Sequence, residues 1–180
     1  LRELKPADIP ATISQNPNAA NSIPIIRSTN RKDGIEFTYN IWMFIQSIPE
    51  LSEKQYHQVF FKGNTNTPII RGNVQHAKSL SKLPKRVFKT LGTDLSGINF
   101  PDNGPGLYLT QLPSKGENAK TLGLAIIMNT FKNILETLVV PDISIRKWIC
   151  VTIRVMGRNI DVYINGVIVK RHILNDVPKQ

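Results

Sequence analysis

The residues with catalytic potential are scattered along the chain. Glycoside hydrolysis needs two carboxylates that flank the scissile bond, and the compact spacing Glu-x-Asp-x-x-Glu on one strand is absent. Glu36, Glu117 and Glu136 stand apart from one another in the sequence. An enzyme would have to assemble its carboxylates from distant strands, so we predict that the chain is not an enzyme and has no catalytic residues.

Nucleophilic and metal-ion chemistry find equally little support. Cys150 stands in a β-branched run, which is typical of a structural cysteine and not of a nucleophile. His57, His76 and His172 lack metal-ligand spacing. The string Asp102-Asn103-Gly104 could belong to a calcium loop, but a turn explains the same residues without a metal. We therefore expect no metal and no cofactor.

The composition describes a single basic domain. The chain has 180 residues, 41% of them hydrophobic, and a formal net charge of +10. This length suffices for one core, and the charge implies attraction to nucleic acid, anionic lipid or acidic protein surfaces. One cysteine excludes an internal disulfide framework and favours the cytoplasm over secretion. No apolar run approaches the roughly 18 residues of a membrane-spanning helix.

A long β-strand is predicted from Gly34 onward by period-two alternation. One face is apolar throughout: Ile35, Phe37, Tyr39, Ile41, Met43 and Ile45. The other face is polar at first and becomes apolar: Glu36, Thr38, Asn40, Trp42 and Phe44. Trp42 and Trp148 could stack on a sugar, but aromatic residues at strand spacing usually pack in a core or on a sheet face. We assign no sugar site to them.

Seven further segments have the composition of strands: 56–62, 107–112, 122–129, 134–140, 148–156, 160–164 and 167–170. Gly and Pro residues between them favour hairpins and loops over crossover helices. The exception is 71–91, where Ala77, Leu80 and Leu83 recur at helical spacing and predict one short amphipathic helix. The pattern as a whole predicts an all-β antiparallel sandwich.

The last two strands flank Asn165-Gly166, the favoured pair for a type I′ turn. A two-residue turn fixes the register of a hairpin. Ile164 should then face Val167, Val162 should face Val169, and Asp161 should face Lys170.

Residues 1–33 are predicted to form an extended N-terminal arm. The prolines in this stretch disfavour helix interiors and central strands. Ile23, Ile25 and Ile26 are its candidate partner-binding residues, because they give the arm apolar surface to bury on a neighbour. A solvated tail remains an alternative.

A long basic insertion at about 64–104 is predicted to interrupt the sandwich, which spans 34–180. No Asp or Glu occurs between residues 62 and 89. The candidate partner-binding residues of the insertion are Arg71, Lys78, Lys82, Lys85, Arg86, Phe88 and Lys89. Long loops in compact domains are uncommon unless they are functional or disordered. We rank an acidic protein partner first, an anionic membrane surface second, and nucleic acid third because aromatic residues for stacking are few.

Several strings together resemble a concanavalin A-like, laminin-G-like jelly roll. They are Gly34-Ile35-Glu36-Phe37-Thr38-Tyr39 with Trp42-Met43, His57-Gln58-Val59-Phe60-Phe61-Lys62-Gly63-Asn64, Gly104-Pro105-Gly106-Leu107-Tyr108-Leu109, Met128-Asn129-Thr130-Phe131, Lys147-Trp148 and Asp161-Val162-Tyr163-Ile164-Asn165-Gly166. The run Lys170-Arg171-His172, followed by Val177-Pro178-Lys179-Gln180, is most similar to the version found in nucleocytoplasmic large DNA viruses. The resemblance covers roughly 34–180, and it implies a short loop where this chain has its insertion.

The resemblance also implies a viral structural role, since some of these viral proteins are minor capsid or virion-associated components. We expect a non-enzymatic minor capsid protein that binds and cements the major capsid protein and other minor capsid proteins. Its location would be the virion, after assembly in the host cytoplasm. The alternative is a lectin-like carbohydrate-binding module on the same fold, and a glycan array would separate the two.

Overall fold

The computed structural model of the protein describes residues 20, 29–31, 34–47, 55–63, 95–100, 102–113 and 120–179. These residues contain β-strands and loops and no helix. The strands are β1 (Thr29–Arg31), β2 (Gly34–Phe44), β3 (Tyr56–Phe61), β4 (Gly106–Pro113), β5 (Lys120–Met128), β6 (Glu136–Val140), β7 (Trp148–Met156), β8 (Asn159–Ile164) and β9 (Val167–Ile173). The prediction of an all-β protein is confirmed, and every strand predicted from the sequence is present.

The strands form two antiparallel sheets that pack as a β-sandwich. Sheet A has the order β1-β2-β7-β8-β9, and sheet B has the order β3-β4-β5-β6. Alternate residues of the strands face inward, and they include Ile35, Leu107, Leu124, Ile126, Val151, Ile153 and Val162. Between the sheets, the rings of Tyr39 in β2 and Phe60 in β3 lie 5.7 Å apart. Burial of these inner faces from water is what holds the two layers together.

The alternation of inward-facing and outward-facing side chains along β2 is the one predicted from its sequence. Ile35 is buried, and the alternate residues that follow it on the same face are partly buried against the core. Along its length β2 pairs with β7, from Glu36 opposite Met156 to Phe44 opposite Trp148. Because the pairing fixes both strands, the side chains opposite to the core project from the outer face of sheet A.

The final hairpin follows the predicted register at its turn and departs from it further along. Asn165 and Gly166 have φ values of 51° and 82°, as a type I′ turn requires, and Ile164 faces Val167. The other two predicted pairs are wrong: Val162 faces Lys170, and Asp161 faces Arg171. The reason is a β-bulge, in which Val169 is an extra residue on β9.

The outer face of sheet B is covered by residues 95–100 together with 102 and 103, which fall at the end of the predicted insertion. Leu95 and Ile98 are buried against Tyr108 and Ile127 of this face. Asn103 is also buried. Its side-chain amide nitrogen donates to the backbone carbonyl oxygen of Asn99 at 2.7 Å. The last part of the predicted insertion is therefore integral to the core. The Asn103 side chain acts as an internal support of this loop.

Two other predictions fall largely outside the described residues. Of the arm predicted at 1–33, residues 29–31 form β1, which pairs with β2, and Ala20 lies in a turn. The short helix predicted at 71–91 lies outside the described residues. The assignment to a jelly roll stays a prediction. The described residues contain no helix that is long and apolar enough to cross a membrane.

Candidate protein-binding surface

Three large aromatic side chains lie together on the outer face of sheet A. We call Trp42, Phe44 and Trp148 the aromatic patch. The exposed fractions of Trp42 and Trp148 are 65% and 64%, and Phe44 is exposed as well. The ring centroids of Phe44 and Trp148 are 5.7 Å apart with an interplanar angle of 53°. The patch therefore presents contiguous apolar surface to solvent.

The patch is held in place by the pairing of two long strands. Phe44 and Trp148 are directly opposite each other, and Trp42 is opposite Cys150. The inward neighbours Ile45 and Ile149 are buried in the core. Since these buried neighbours fix the backbone of β2 and β7, they also fix the positions from which the exposed rings project.

A row of hydrogen-bonded polar side chains borders the patch. The Asn40 amide nitrogen donates to the Thr152 hydroxyl at 2.8 Å, and the Cys150 thiol donates to the Asn40 amide oxygen at 3.4 Å. The backbone nitrogen of Cys150 donates to the side chain of Asn165 at 2.9 Å. Cys150 thus links the patch to the turn of the last hairpin.

A charged row lies beyond the polar row on the same face. The guanidinium of Arg171 donates to both carboxylate oxygens of Asp161, from Nε to Oδ1 at 2.6 Å and from Nη2 to Oδ2 at 3.2 Å. The guanidinium of Arg154 lies 3.9 Å from Oδ2 of the same carboxylate. The hydrogen bond from Arg171 holds the pKa of Asp161 below its ordinary value, and burial opposes part of this effect. Asp161 therefore stays ionised between two arginines.

The site residues predicted from the sequence lie outside the described residues. This holds for the arm residues Ile23, Ile25 and Ile26 and for the insertion residues Arg71, Lys78, Lys82, Lys85, Arg86, Phe88 and Lys89. The aromatic patch was not predicted as a site from the sequence. The available signal was the parity of β2, which sets Trp42 and Phe44 on the face opposite to Ile41 and Met43.

Two of the three carboxylates considered for catalysis are separated in the structure, and the third, Glu117, lies outside the described residues. Glu36 lies on the outer face of sheet A opposite Met156. Glu136 is buried and belongs to β6, an edge strand of sheet B. Glu136 accepts hydrogen bonds from the backbone nitrogen and the side chain of Asn175, at 2.7 Å and 2.6 Å, and His172 lies 3.3 Å away. Within the described ranges, no three His, Cys, Asp or Glu side chains are grouped to hold a metal ion.

Comparison with known proteins found no matching family model, no matching curated protein and no matching solved structure. The class that the fold defines is an all-β antiparallel sandwich. The resemblance to a viral concanavalin A-like domain stays a prediction from the sequence.

Proposed function

We propose that this chain is a non-enzymatic binding module that attaches to a neighbouring protein through the outer face of sheet A. The observation that carries the proposal is the aromatic patch. Trp, Tyr and Arg dominate the binding energy of protein interfaces, especially where polar groups surround them. Exposed contiguous apolar surface also marks interaction sites in otherwise soluble domains. Here the rings of Trp42 and Trp148 adjoin a polar row and then the arginines of the charged row.

The particular role that we propose is a minor capsid protein of a large DNA virus, which binds and cements neighbouring capsid proteins. Support for a binding role comes from the patch, and support for the viral role comes from the sequence resemblance alone. The partners would be the major capsid protein and other minor capsid proteins, and the protein would reside in the virion. The arm and the basic insertion are proposed as additional contacts, whose ordering on binding must be offset by apolar burial.

A lectin-like carbohydrate-binding module is the second candidate. Its support is the presence of two exposed indole rings beside amide and hydroxyl groups. Sugar recognition needs hydrogen-bonding groups that are available to the ligand. The side chains of Asn40 and Thr152 already bond to each other, and Asn40 also accepts from Cys150. This leaves less hydrogen-bonding capacity for a sugar, so we favour a protein partner.

Cross-linking mass spectrometry of purified virus particles tests the proposal on the full chain. Lys147 adjoins Trp148 in sequence, so we expect links from Lys147 to the major coat protein. Lys132 is the internal control, because its neighbour Phe131 bonds to Val177 at the end of the sandwich opposite to the patch. Absence of the protein from particles would overturn the capsid role.

The same experiment also tests the contact surface. Links to the coat protein from Lys132 and none from Lys147 would contradict the patch as the binding surface. A glycan array with and without calcium then examines the second candidate, and reproducible sugar binding that is lost in Trp42→Ser would replace the scaffold proposal with the lectin proposal.

A further inference from the structure

Among the strands that the structure describes, the last one, β9, is an open edge of sheet A. It ends the order β1-β2-β7-β8-β9, and six of its seven residues are exposed. In β6, an edge strand of sheet B, no residue is exposed. Backbone N–H and C=O groups along an open edge form a template for pairing with another strand.

The turn determines which backbone groups of β9 are available. In a two-residue hairpin the residues that flank the turn, here Ile164 and Val167, exchange both of their hydrogen bonds. The next pair, Tyr163 and Ile168, is then not hydrogen-bonded. The N–H and C=O of Ile168 therefore point away from β8, towards a strand that would lie beside β9.

Side chains of opposite character lie on the two faces of this edge. Ile168 and Ile173 are exposed and belong to the outer face of the sheet, because Tyr163 and Asn159 are their partners. Lys170 is opposite the buried Val162 and so lies on the inner side of the edge. An incoming strand would meet the aliphatic side chains of Ile168 and Ile173 on the outer face, with the Asp161-bound Arg171 between them, and the cation of Lys170 on the inner side.

Positive charge in the middle of the edge comes from Lys170 and Arg171, and His172 follows them in β9. Arg171 is bound to Asp161, and His172 contacts Glu136. In the described part of the chain no carboxylate forms an ion pair with Lys170. Lys170 is thus available to a carboxylate on a partner.

A second copy of this chain fits the edge poorly. Pairing of β9 with a second β9 would bring Lys170 and Arg171 close to the same residues of the other copy, and like charges on paired strands are destabilising. The bulge at Val169 and a lysine on the edge are also the features by which proteins limit pairing between identical edges. The same features leave room for a strand of opposite charge.

We propose that β9 binds, by strand addition, an extended acidic segment of another protein. Its carboxylates face Lys170, and its aliphatic side chains face Ile168 and Ile173. Main-chain hydrogen bonds supply affinity in this mode of recognition, and the alternating side chains supply specificity. The binding site is separate from the aromatic patch and does not depend on the capsid role.

Two seven-residue peptides, matched in length to β9, serve as probes for the full chain. One alternates Glu and Val, and the other alternates Lys and Val. We expect the acidic peptide to bind in fluorescence anisotropy and to slow hydrogen exchange of the Ile168 amide, and we expect no binding of the basic peptide. Equal binding of the two peptides, binding of neither, or protection confined to β2 and β7 would overturn the proposal.

Matched variants separate backbone pairing from charge. Ile168→Pro removes the outward N–H, and the control Ile168→Thr keeps it; we expect the proline variant to bind the acidic peptide roughly tenfold more weakly than the threonine variant. Lys170→Glu should also weaken binding, whereas Lys120→Glu on sheet B, with the same change in charge, should not. Equal affinities within either matched pair would contradict strand addition at this acidic-selective edge.

Sedimentation of the protein without peptide tests whether a second copy of the chain binds to β9. We expect no concentration-dependent association through β9. Self-association that Ile168→Pro abolishes and Ile168→Thr retains would identify a second copy as the occupant and overturn the acidic partner.

Discussion

The carboxylate of Glu136 in β6 accepts a hydrogen bond of 2.7 Å from the backbone nitrogen of Asn175, which follows β9. This bond joins β6 of sheet B to the chain that leaves β9, the edge strand of sheet A. The same oxygen accepts from the Asn175 side chain at 2.6 Å and lies 3.3 Å from His172. A buried carboxylate with several donors around it acts as a cross-link between the layers.

Replacement of Glu136 should show how much this cross-link stabilises the sandwich. Glu136→Gln keeps an acceptor for Asn175, and we expect a change in the free energy of unfolding of less than about 1 kcal/mol. Glu136→Leu leaves buried donors without an acceptor, so we expect a loss of roughly 2–3 kcal/mol. Urea unfolding of both variants measures the difference. Equal stabilities of the two variants would contradict a stabilising role for the hydrogen bonds.

The pair formed by Asp161 and Arg171 should make stability depend on pH in the acidic range. The pKa of Asp161 is lowered in the folded state, chiefly by the hydrogen bond from Arg171. A carboxyl with a lowered pKa stabilises the fold above its unfolded pKa, and this stabilisation is lost as the pH falls through the folded pKa. The advantage of the wild type over Asp161→Asn should therefore be constant near neutral pH and shrink below the ordinary value of 3.8.

A double-mutant cycle that combines Asp161→Asn with Arg171→Gln tests whether the stabilisation comes from the interaction between these two side chains. We expect the coupling between the two positions at neutral pH to decrease with added salt, because Arg171 is exposed. An Asp161→Asn variant whose deficit stays the same down to low pH would show that the carboxylate charge contributes nothing.

Tyr108 should support the loop that covers sheet B. Its hydroxyl donates to Asn103 and accepts from the backbone nitrogen of Asn99 at 3.1 Å. Burial raises the pKa of Tyr108, and the bond from Asn99 offsets this only in part. We expect Tyr108→Phe to lower stability by roughly 1–3 kcal/mol and to speed hydrogen exchange at the Asn99 amide. Unchanged exchange at Asn99 would argue against this support.

The aromatic patch should be dispensable for folding. Trp42→Ser removes an exposed side chain, so we expect a change of less than about 0.5 kcal/mol in stability, while Ile41→Ser on the opposite face of β2 should destabilise strongly. The chain has two tryptophans, both exposed, so its fluorescence should be readily quenched by acrylamide. A strongly protected emission, or equal losses for the two variants, would show that the patch belongs to the core.

Deletion of Val169 should remove the bulge and leave the fold intact. Lys170 and Arg171 already face Val162 and Asp161, so a regular ladder preserves both of these pairs. The straightened edge should then associate with copies of itself more than the wild type does at high salt, where the like charges of Lys170 and Arg171 are screened, because the protection that a bulge gives is lost. Sedimentation over a range of concentrations measures the change, with Val169→Thr as the control that keeps the extra residue. A deletion variant that stays as monomeric as the wild type at high salt would show that the bulge has no protective role.

The strands and the parity of their faces could be predicted because both depend on local alternation. Gly34 to Phe44 alternates so regularly that the outer positions of Trp42 and Phe44 follow directly from the buried Ile35. Pairing partners could not be predicted in this way: Phe44 meets Trp148 across more than a hundred intervening residues, and local periodicity contains no information on such contacts.

The bulge and the covering loop could not be predicted for other reasons. Val169 and Lys170 have ordinary strand character, so nothing in the residue types indicates which one is extra in the ladder. Leu95 and Ile98 are buried without belonging to a strand or a helix, and irregular chain has no periodic signal. Prediction of the aromatic patch would have required two things: the alternation of faces along β2, and the finding that Trp42 and Trp148 stay exposed in the described part of the chain.

The stretch between β3 and β4 is anchored at both ends of one strand. Just past the end of β3, the backbone nitrogen of Gly104 donates to the carbonyl oxygen of Lys62 at 2.8 Å. At the start of β3, the backbone nitrogen of Tyr56 donates to the carbonyl oxygen of Ser96 at 2.9 Å. The distance to be bridged is thus set by the six residues of β3, roughly 20 Å. Each doubling in the length of a flexible loop costs only about 0.6 kcal/mol. A change in the length of the sequence that joins these two anchors should therefore change the free energy of unfolding little, and the anchors themselves belong to the sandwich.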